Sequence, residues 1–178
     1  MTRRFTLGEN MKKIFLFAFL FMTAIDEGEL FAQTQSVSQS ANVNLTVQTA
    51  MSLTNVRGVN FGTQVQGSAG ATVDPVNGGA NAAYFTLSGA PANQSLTVSW
   101  TPSAILTNTT TNITWTPSVA VGNTTTQTGA TVLASSGSTS PASSSGNLYI
   151  WVGGSTGAVP NNAPAGLYQG TVTLTVQY

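Results

Sequence analysis

Side chains that could carry out chemistry are almost missing after residue 32. Arg57 and Asp74 are the only charged residues of 33–178, and the whole chain has no histidine and no cysteine. Acid–base catalysis needs a titrating group beside its target, and nucleophilic catalysis needs a base beside the nucleophile. Serine triads, cysteine–histidine pairs and paired-carboxylate mechanisms are therefore excluded for this region. The sequence predicts a protein that is not an enzyme.

Metal, cofactor and nucleic-acid sites lack their usual residues as well. Zinc sites need histidine or cysteine, and calcium sites usually take several carboxylates. Asp74 precedes Pro75, so we expect it to make a local hydrogen bond in a turn rather than to bind a metal. Arg57 precedes Gly58 and is expected in a solvated turn, with a grip on a carboxylate or sulfate as the alternative. We therefore predict no cofactor and no metal. We also predict no nucleic-acid partner, because a neutral surface does not attract phosphates.

The three tryptophans are the side chains best suited to an uncharged ligand. They are Trp100, Trp115 and Trp151. The first two occupy matching places in an imperfect repeat, SWTPSAILTNTTTN and TWTPSVAVGNTTTQ. The repeat is either a small duplication, with two neighbouring strands that each end in a proline turn, or a chance similarity between threonine-rich segments. Two interpretations stay open for all three: packing in the core or at its rim, or a stacking platform for a polysaccharide partner.

The N-terminus has the pattern of an export signal. Lys12 and Lys13 precede an apolar run of twelve residues, which is too short to cross a bilayer as a helix. We predict that residues 1–32 are an N-terminal extension and signal peptide and that cleavage follows Ala32. The expected translation start is Met11, with a start at Met1 and an extended basic segment containing Arg3 and Arg4 as the alternative. No later apolar run reaches eighteen residues, so no membrane-spanning helix is expected in the mature chain. The expected location is the periplasm, the cell surface or the extracellular space.

Residues 33–178 predict a single all-β domain, an antiparallel β-sandwich. The terminal stretch YQGTVTLTVQY alternates apolar and polar side chains, as a strand with one buried face does. Short runs of this kind recur between clusters of Gly, Asn, Pro and Ser, which is typical of sandwiches and barrels. The other predicted strands are 51–56, 59–65, 71–76, 83–88, 95–101, 112–121, 130–134 and 147–153. The low-complexity stretch 135–146 is predicted to be a mobile loop.

The N-terminal arm, residues 33–47, alternates in the same way. Its candidate strand-donating side chains are Val37, Val43, Leu45 and Val47. Two roles stay open for these residues. They are either the first strand of their own sandwich or a strand that inserts into a neighbouring subunit.

Four sequence blocks resemble a bacterial family of secreted proteins known as a domain of unknown function, related to spore-coat-U and chaperone–usher pilin domains. The blocks are VNFG at 59–62, GATVDP at 70–75, FTLSGAP at 85–91 and GLYQGTV at 166–172. The resemblance implies an immunoglobulin-like, pilin-like sandwich with Greek-key connections. It also implies display outside the cytoplasm and assembly by strand addition, with no catalytic residues.

Three functions compete on these grounds. The first is an exported structural or adhesive surface protein, with itself or other surface subunits as partners. The second is a carbohydrate-binding module. The third is a small outer-membrane β-barrel, because Tyr178 ends an alternating strand; most predicted strands are shorter than the 9–11 residues that such barrels need.

Overall fold

The computed structural model describes residues 38–42, 44, 45, 47 and 50–178. Residues Thr46–Tyr178 form one compact unit, which contains every strand of the described chain. The predicted signal segment lies outside the described residues, as do Val37 and Val43 of the arm. Within the described part of the chain, no helix has the length and hydrophobicity needed to cross a membrane.

Ten strands and one short 3-10 turn make up the described part of the fold. The strands are β1 Ser52–Arg57, β2 Thr72–Val73, β3 Ala83–Ser88, β4 Ser95–Trp100, β5 Ala104–Asn108, β6 Thr111–Gly122, β7 Thr131–Val132, β8 Ser138–Pro141, β9 Leu148–Thr156 and β10 Leu174–Gln177. The 3-10 turn is Gly79–Asn81. The prediction of an all-β protein is confirmed.

The strands form two antiparallel sheets. The large sheet has the order β1-β3-β9-β6-β5, with β2 added to β9 and β7 added to β6. The small sheet has the order β10-β4-β8. A bridge between Thr107 and Gln169 joins β5 to the segment that leads into β10. The large sheet therefore curls, so that its β5 end comes close to the chain entering the small sheet.

A continuous two-chain ribbon links the sheets at another corner. The segment between β3 and β4 is hydrogen-bonded to the segment between β8 and β9, through Ala90 N to Gly146 O at 3.1 Å and Ala142 N to Gln94 O at 2.9 Å. One edge of this ribbon is formed by β9 and β8. The other edge is formed by β3 and β4. Strand β1 pairs with β3 and strand β10 pairs with β4, so β1 and β10 lie along this second edge, one in each sheet.

The core lies between the two sheets and follows the period of the strands. In β9, Leu148, Ile150 and Val152 are all fully buried, and they alternate with residues that lie on the other face of the large sheet. In β4, Leu96 and Val98 face them from the small sheet and are equally buried. Burying a side chain of this size contributes about 1.5–3 kcal/mol, so these alternating positions hold the sheets together.

Predicted and observed strands differ where backbone pairing outweighs side-chain pattern. The predicted mobile loop 135–146 contains β8, which adds to β4 although its side chains are almost all hydroxyls. Strand β5 is not among the predicted strands. The predicted strand 59–65 is a loop, because Asn60 Oδ1 accepts the Gly62 N–H at 2.9 Å and Gln64 Nε2 donates to Phe61 O at 3.0 Å. Such local hydrogen bonds compete with strand pairing.

The expectation of two neighbouring strands with proline turns is wrong. Trp100 does end β4, and Pro102 follows it in a bend. Trp115, in contrast, lies in the middle of β6, and Pro117 is inside the same strand, opposite Gly154 of β9. Proline is tolerated there because it lies between the stretch of β6 that pairs with β5 and the stretch that pairs with β7, so no partner strand needs its missing N–H on that side.

Candidate functional site

The three tryptophans lie in packed positions in different parts of the fold. Trp100, Trp115 and Trp151 are 9%, 1% and 1% exposed. Trp100 lies on β4 of the small sheet, whereas the other two lie on β6 and β9 of the large sheet. The structure does not bring them together, and none of them presents an open ring face on which a sugar could stack.

Trp115 is buried in the core between the two sheets. Its Nε1 donates a hydrogen bond to Gly153 O at 3.2 Å, which satisfies the only polar atom of the indole. Phe61 meets it edge-on, with ring centroids 5.7 Å apart. This contact joins the loop after β1 to the middle of the large sheet.

Trp151 belongs to an aromatic row on the outer face of the large sheet. Tyr84 stacks on Trp151 with centroids 5.4 Å apart and on Tyr149 with centroids 6.4 Å apart. The guanidinium carbon of Arg57 lies 5.3 Å from the centroid of the Tyr84 ring. Burial raises the pKa of Tyr84, the nearby Tyr149 raises it further and the Arg57 charge partly opposes both. The Tyr84 ring is packed against Trp151 and Tyr149 of β9 and against the Arg57 guanidinium of β1.

Arg57 and Asp74, the two charged residues of 33–178, both make hydrogen bonds that stabilise turns. Arg57 Nε donates to Ala82 O at 2.8 Å and Nη2 donates to Gly79 O at 2.9 Å, so it anchors the 3-10 turn. Asp74 accepts the Val76 N–H at 2.8 Å, as predicted, and also accepts from the Asn77 side chain at 3.0 Å. These two hydrogen bonds lower the pKa of Asp74. Among the described residues, no cluster of three His, Cys, Asp or Glu side chains could hold a metal ion.

The arm is described only in part. Its described residues lie outside the strands, and Leu45 and Val47 are 85% and 82% exposed. Val37 and Val43 lie outside the described residues. The structure therefore shows two of the four predicted donor side chains, and both are uncovered apolar groups.

The core between the two sheets is incompletely covered along one side. Nine apolar residues pack against the core cluster while staying partly exposed, and seven of them belong to β1 and the residue before it, to the loop after it, or to the last segment of the chain. The nine are Met51, Leu53, Val59, Phe61, Phe85, Leu106, Val172, Leu174 and Val176. Among the described residues no strand pairs with the outer edge of β1, and none pairs with that of β10. We call this region, between β1 with its loop 58–66 and the segment 167–177, the open side.

A cavity of about 890 Å³ lies at one end of the open side. Its walls are the loop 59–66 and the segment 163–170, and its floor includes Trp115, Ile113 and Leu106 of the large sheet. The residues that line it are all uncharged. Asn60, Gln64, Gln66 and Gln169 contribute amides, and Phe61 and Tyr168 contribute half-buried rings.

The cavity was not foreseen from the sequence. Its walls come from the predicted strand 59–65 and from the Gly- and Pro-rich stretch before the last strand, two segments about a hundred residues apart in the chain. The only local signal in the sequence was an aromatic residue, Phe61 or Tyr168, within each of two segments rich in Gly, Asn, Gln or Pro. No residue pattern showed that these segments face each other.

A scan of the chain against protein-family models gives no match, and no curated protein matches it significantly. The function must therefore be inferred from the sequence and the structure of this chain.

Proposed function

We propose that this protein is a non-catalytic, exported structural or adhesive surface subunit that assembles with copies of itself by strand addition. In this proposal the domain is a pilin-like, immunoglobulin-like sandwich with Greek-key connections. The observation that supports it is the open side, where edge strands of both sheets flank a core that stays partly exposed.

The absence of catalysis is supported by what the two charged groups already do. Arg57 and Asp74 each make two hydrogen bonds to their own chain, in the 3-10 turn and in the turn after β2. A general acid or base must have a proton-transfer atom within reach of a substrate. Neither group lines the cavity, and residues 33–178 contain no other charged side chain.

The proposed occupant of the open side is the arm, residues 33–47, of a second copy. An added strand supplies backbone hydrogen bonds to an unpaired edge and side chains of one parity to the core. The arm has that alternation and no charged residue, which suits the partly exposed apolar residues of the open side. At about 3.3 Å per residue, the extended arm is longer than the segment 167–177 that borders the open side, so it is long enough to pair along that whole edge.

The two described donor side chains, Leu45 and Val47, are apolar groups that a second copy could cover. Leu45 and Val47 expose most of their surface to water. Covering such side chains contributes about 25 cal/mol per Å² of apolar area, which favours association with a partner that offers a matching groove.

The test is the mass of the purified protein without the predicted signal peptide, residues 33–178, by analytical ultracentrifugation over a range of concentrations. We expect the wild type to form oligomers and the Leu45→Asp/Val47→Asp variant to stay monomeric, because charge at these positions would be buried in the groove. The matched control is Asn44→Asp/Thr46→Asp, which adds the same charge on the opposite parity and should still assemble.

Two results would refute strand addition between copies. One is a wild-type protein that is monomeric at every concentration, which includes the case of an arm that docks on its own subunit. The other is assembly of the Leu45→Asp/Val47→Asp variant at wild-type strength. Both positions are highly exposed, so the unfolding midpoint of the monomer should not change and a loss of assembly cannot be attributed to misfolding.

A further inference from the structure

We propose that the cavity between the loop 59–66 and the segment 163–170 is a binding site for a neutral saccharide. The inference depends on the cavity itself and does not require strand addition. Of the three tryptophans, only Trp115 lines the cavity, as a buried residue of its floor, so the residues that would hold the ligand are other side chains.

The size of the cavity suits a small ligand. Its volume of about 890 Å³ falls within the range of roughly 300–1,000 Å³ that small-molecule sites occupy. The site is a concave pocket between two chain segments and the inner face of a sheet. Rigid strands β5 and β6 supply its floor through Leu106, Ile113 and Trp115.

The absence of charge in the lining restricts the ligand class. A carboxylate, phosphate or sulfate that entered the cavity would lose hydration without gaining an opposite charge, which is costly. The one arginine of the domain, Arg57, does not line the cavity and is bound to the carbonyls of Gly79 and Ala82. Acidic saccharides and phosphorylated ligands are therefore disfavoured relative to neutral ones.

The amides around the cavity supply both hydrogen-bond donors and acceptors. Asn60 uses Oδ1 to accept the Gly62 N–H, which leaves its NH₂ group for a ligand. Gln64 and Gln66 use Nε2 to donate to the carbonyls of Phe61 and Ala163, which leaves Oε1 of each as an acceptor. A sugar hydroxyl both donates and accepts, so it can pair with either kind of group.

The apolar part of the lining matches the C–H faces of a sugar ring. Phe61 and Tyr168 are the half-buried rings of the lining, and Ile113 and Val159 extend the apolar surface. A wholly apolar ligand would fit this floor but would leave the amides without partners, at a cost of about 1–3 kcal/mol for each group that is buried unpaired. A neutral saccharide satisfies both parts of the lining.

The test begins with an array of neutral and acidic oligosaccharides, followed by calorimetric titration of the best neutral ligand. We expect neutral saccharides to bind the full-length protein, and Gln64→Met and Ala165→Trp to weaken binding at least tenfold. The first removes an amide of the lining, and the second fills space in it. The control is Gln94→Met, because Gln94 Nε2 also donates to a backbone carbonyl, that of Ser95, in the link between β3 and β4.

Three outcomes would overturn the site: no neutral saccharide binds, acidic saccharides bind best, or Gln94→Met weakens binding as much as Gln64→Met. The titration is repeated with Leu45→Asp/Val47→Asp, so that a cavity filled by a neighbouring arm is not mistaken for one without affinity. If the wild type is a monomer and binds a saccharide, strand addition is refuted and the saccharide site is not. If the wild type is an oligomer and the Leu45→Asp/Val47→Asp variant binds no saccharide, the saccharide site is refuted and strand addition is not.

Discussion

Phe61 lies edge-on to Trp115, with ring centroids 5.7 Å apart and ring planes at 75°. The first ring belongs to the loop after β1, and the second is fully buried on β6. Edge-to-face pairs contribute about 0.5–1.5 kcal/mol beyond the area that they bury. The pair fixes one wall of the cavity to its floor, so the shape of the cavity and the stability of the fold depend on the same contact.

Shortening either ring should destabilise the protein, by different amounts. We expect Trp115→Ala to lower the free energy of unfolding by about 3–5 kcal/mol, as for other large side chains in a core. Phe61→Ala should cost about 1–3 kcal/mol, because this ring is only half buried. Urea denaturation measures both values. Leu167→Ala, which also lines the cavity but is 72% exposed, is the control and should change stability by less than about 0.5 kcal/mol. A loss for Phe61→Ala no larger than this would contradict the role of the pair.

Gly154 should not tolerate a side chain. Its φ is +118°, and an added Cβ would lie 2.1 Å from Thr116 O and 2.9 Å from Pro117 Cα on the paired strand β6. Backbone atoms cannot move aside cheaply, so we expect Gly154→Ala to cost more than about 3 kcal/mol or to prevent folding. Gly129→Ala is the control, since its φ is +89° but nothing lies near its Cβ, and strain alone should cost about 1–2 kcal/mol. Equal losses in chemical denaturation would refute the steric argument.

At high pH, Tyr84 should couple folding to proton loss. Burial, together with Tyr149, raises its pKa above the usual value near 10. A raised pKa means that the folded state disfavours the phenolate, so this stability is present below pH 10 and is lost as the pH rises through the folded pKa. We expect the unfolding midpoint to be nearly flat from about pH 5 to 9 and to fall above pH 10. Tyr84→Phe should show a smaller alkaline loss, and an identical loss in the variant would assign it to other groups.

At low pH, Asp74 should have the opposite dependence. The Val76 N–H and the Asn77 side chain lower its pKa below 3.8. A lowered pKa means that the folded state favours the carboxylate, so this stability is present above the unfolded pKa and is lost as the pH falls through the folded pKa. We expect the unfolding midpoint to decline below about pH 4.

Asp74→Asn is the matched variant for the acid side. It keeps a side-chain oxygen for the Val76 N–H but cannot be protonated in this range, so its midpoint should vary less than that of the wild type as the pH falls below about 4. The same decline in both proteins, measured by thermal unfolding, would show that Asp74 does not carry the effect.

The two copies of Trp-Thr-Pro show where local sequence stops being informative. At 100–102 the motif ends a strand, and at 115–117 it continues inside one. The difference lies in the partners. Trp100 pairs with Leu174, the first residue of β10, whereas β6 continues between β9 on one side and the shorter strands β5 and β7 on the other. Where a strand ends depends on its pairing with distant segments, and a short stretch of local sequence does not show that pairing.

Local periodicity and composition were enough to predict an all-β protein and a strand at 83–88, because a strand with one buried face alternates apolar and polar residues. They also predicted the hydrogen bond at Asp74, because it joins residues that are neighbours in the chain. The scarcity of titrating groups likewise follows from counting. The strand β8 in a serine-rich stretch, the burial of Trp115 and Trp151 on different strands, the open side and the cavity were decided by the tertiary structure. Each of these depends on which distant segments pair or face each other, and backbone hydrogen bonds and packing between residues far apart leave little trace in the order of side chains along one segment.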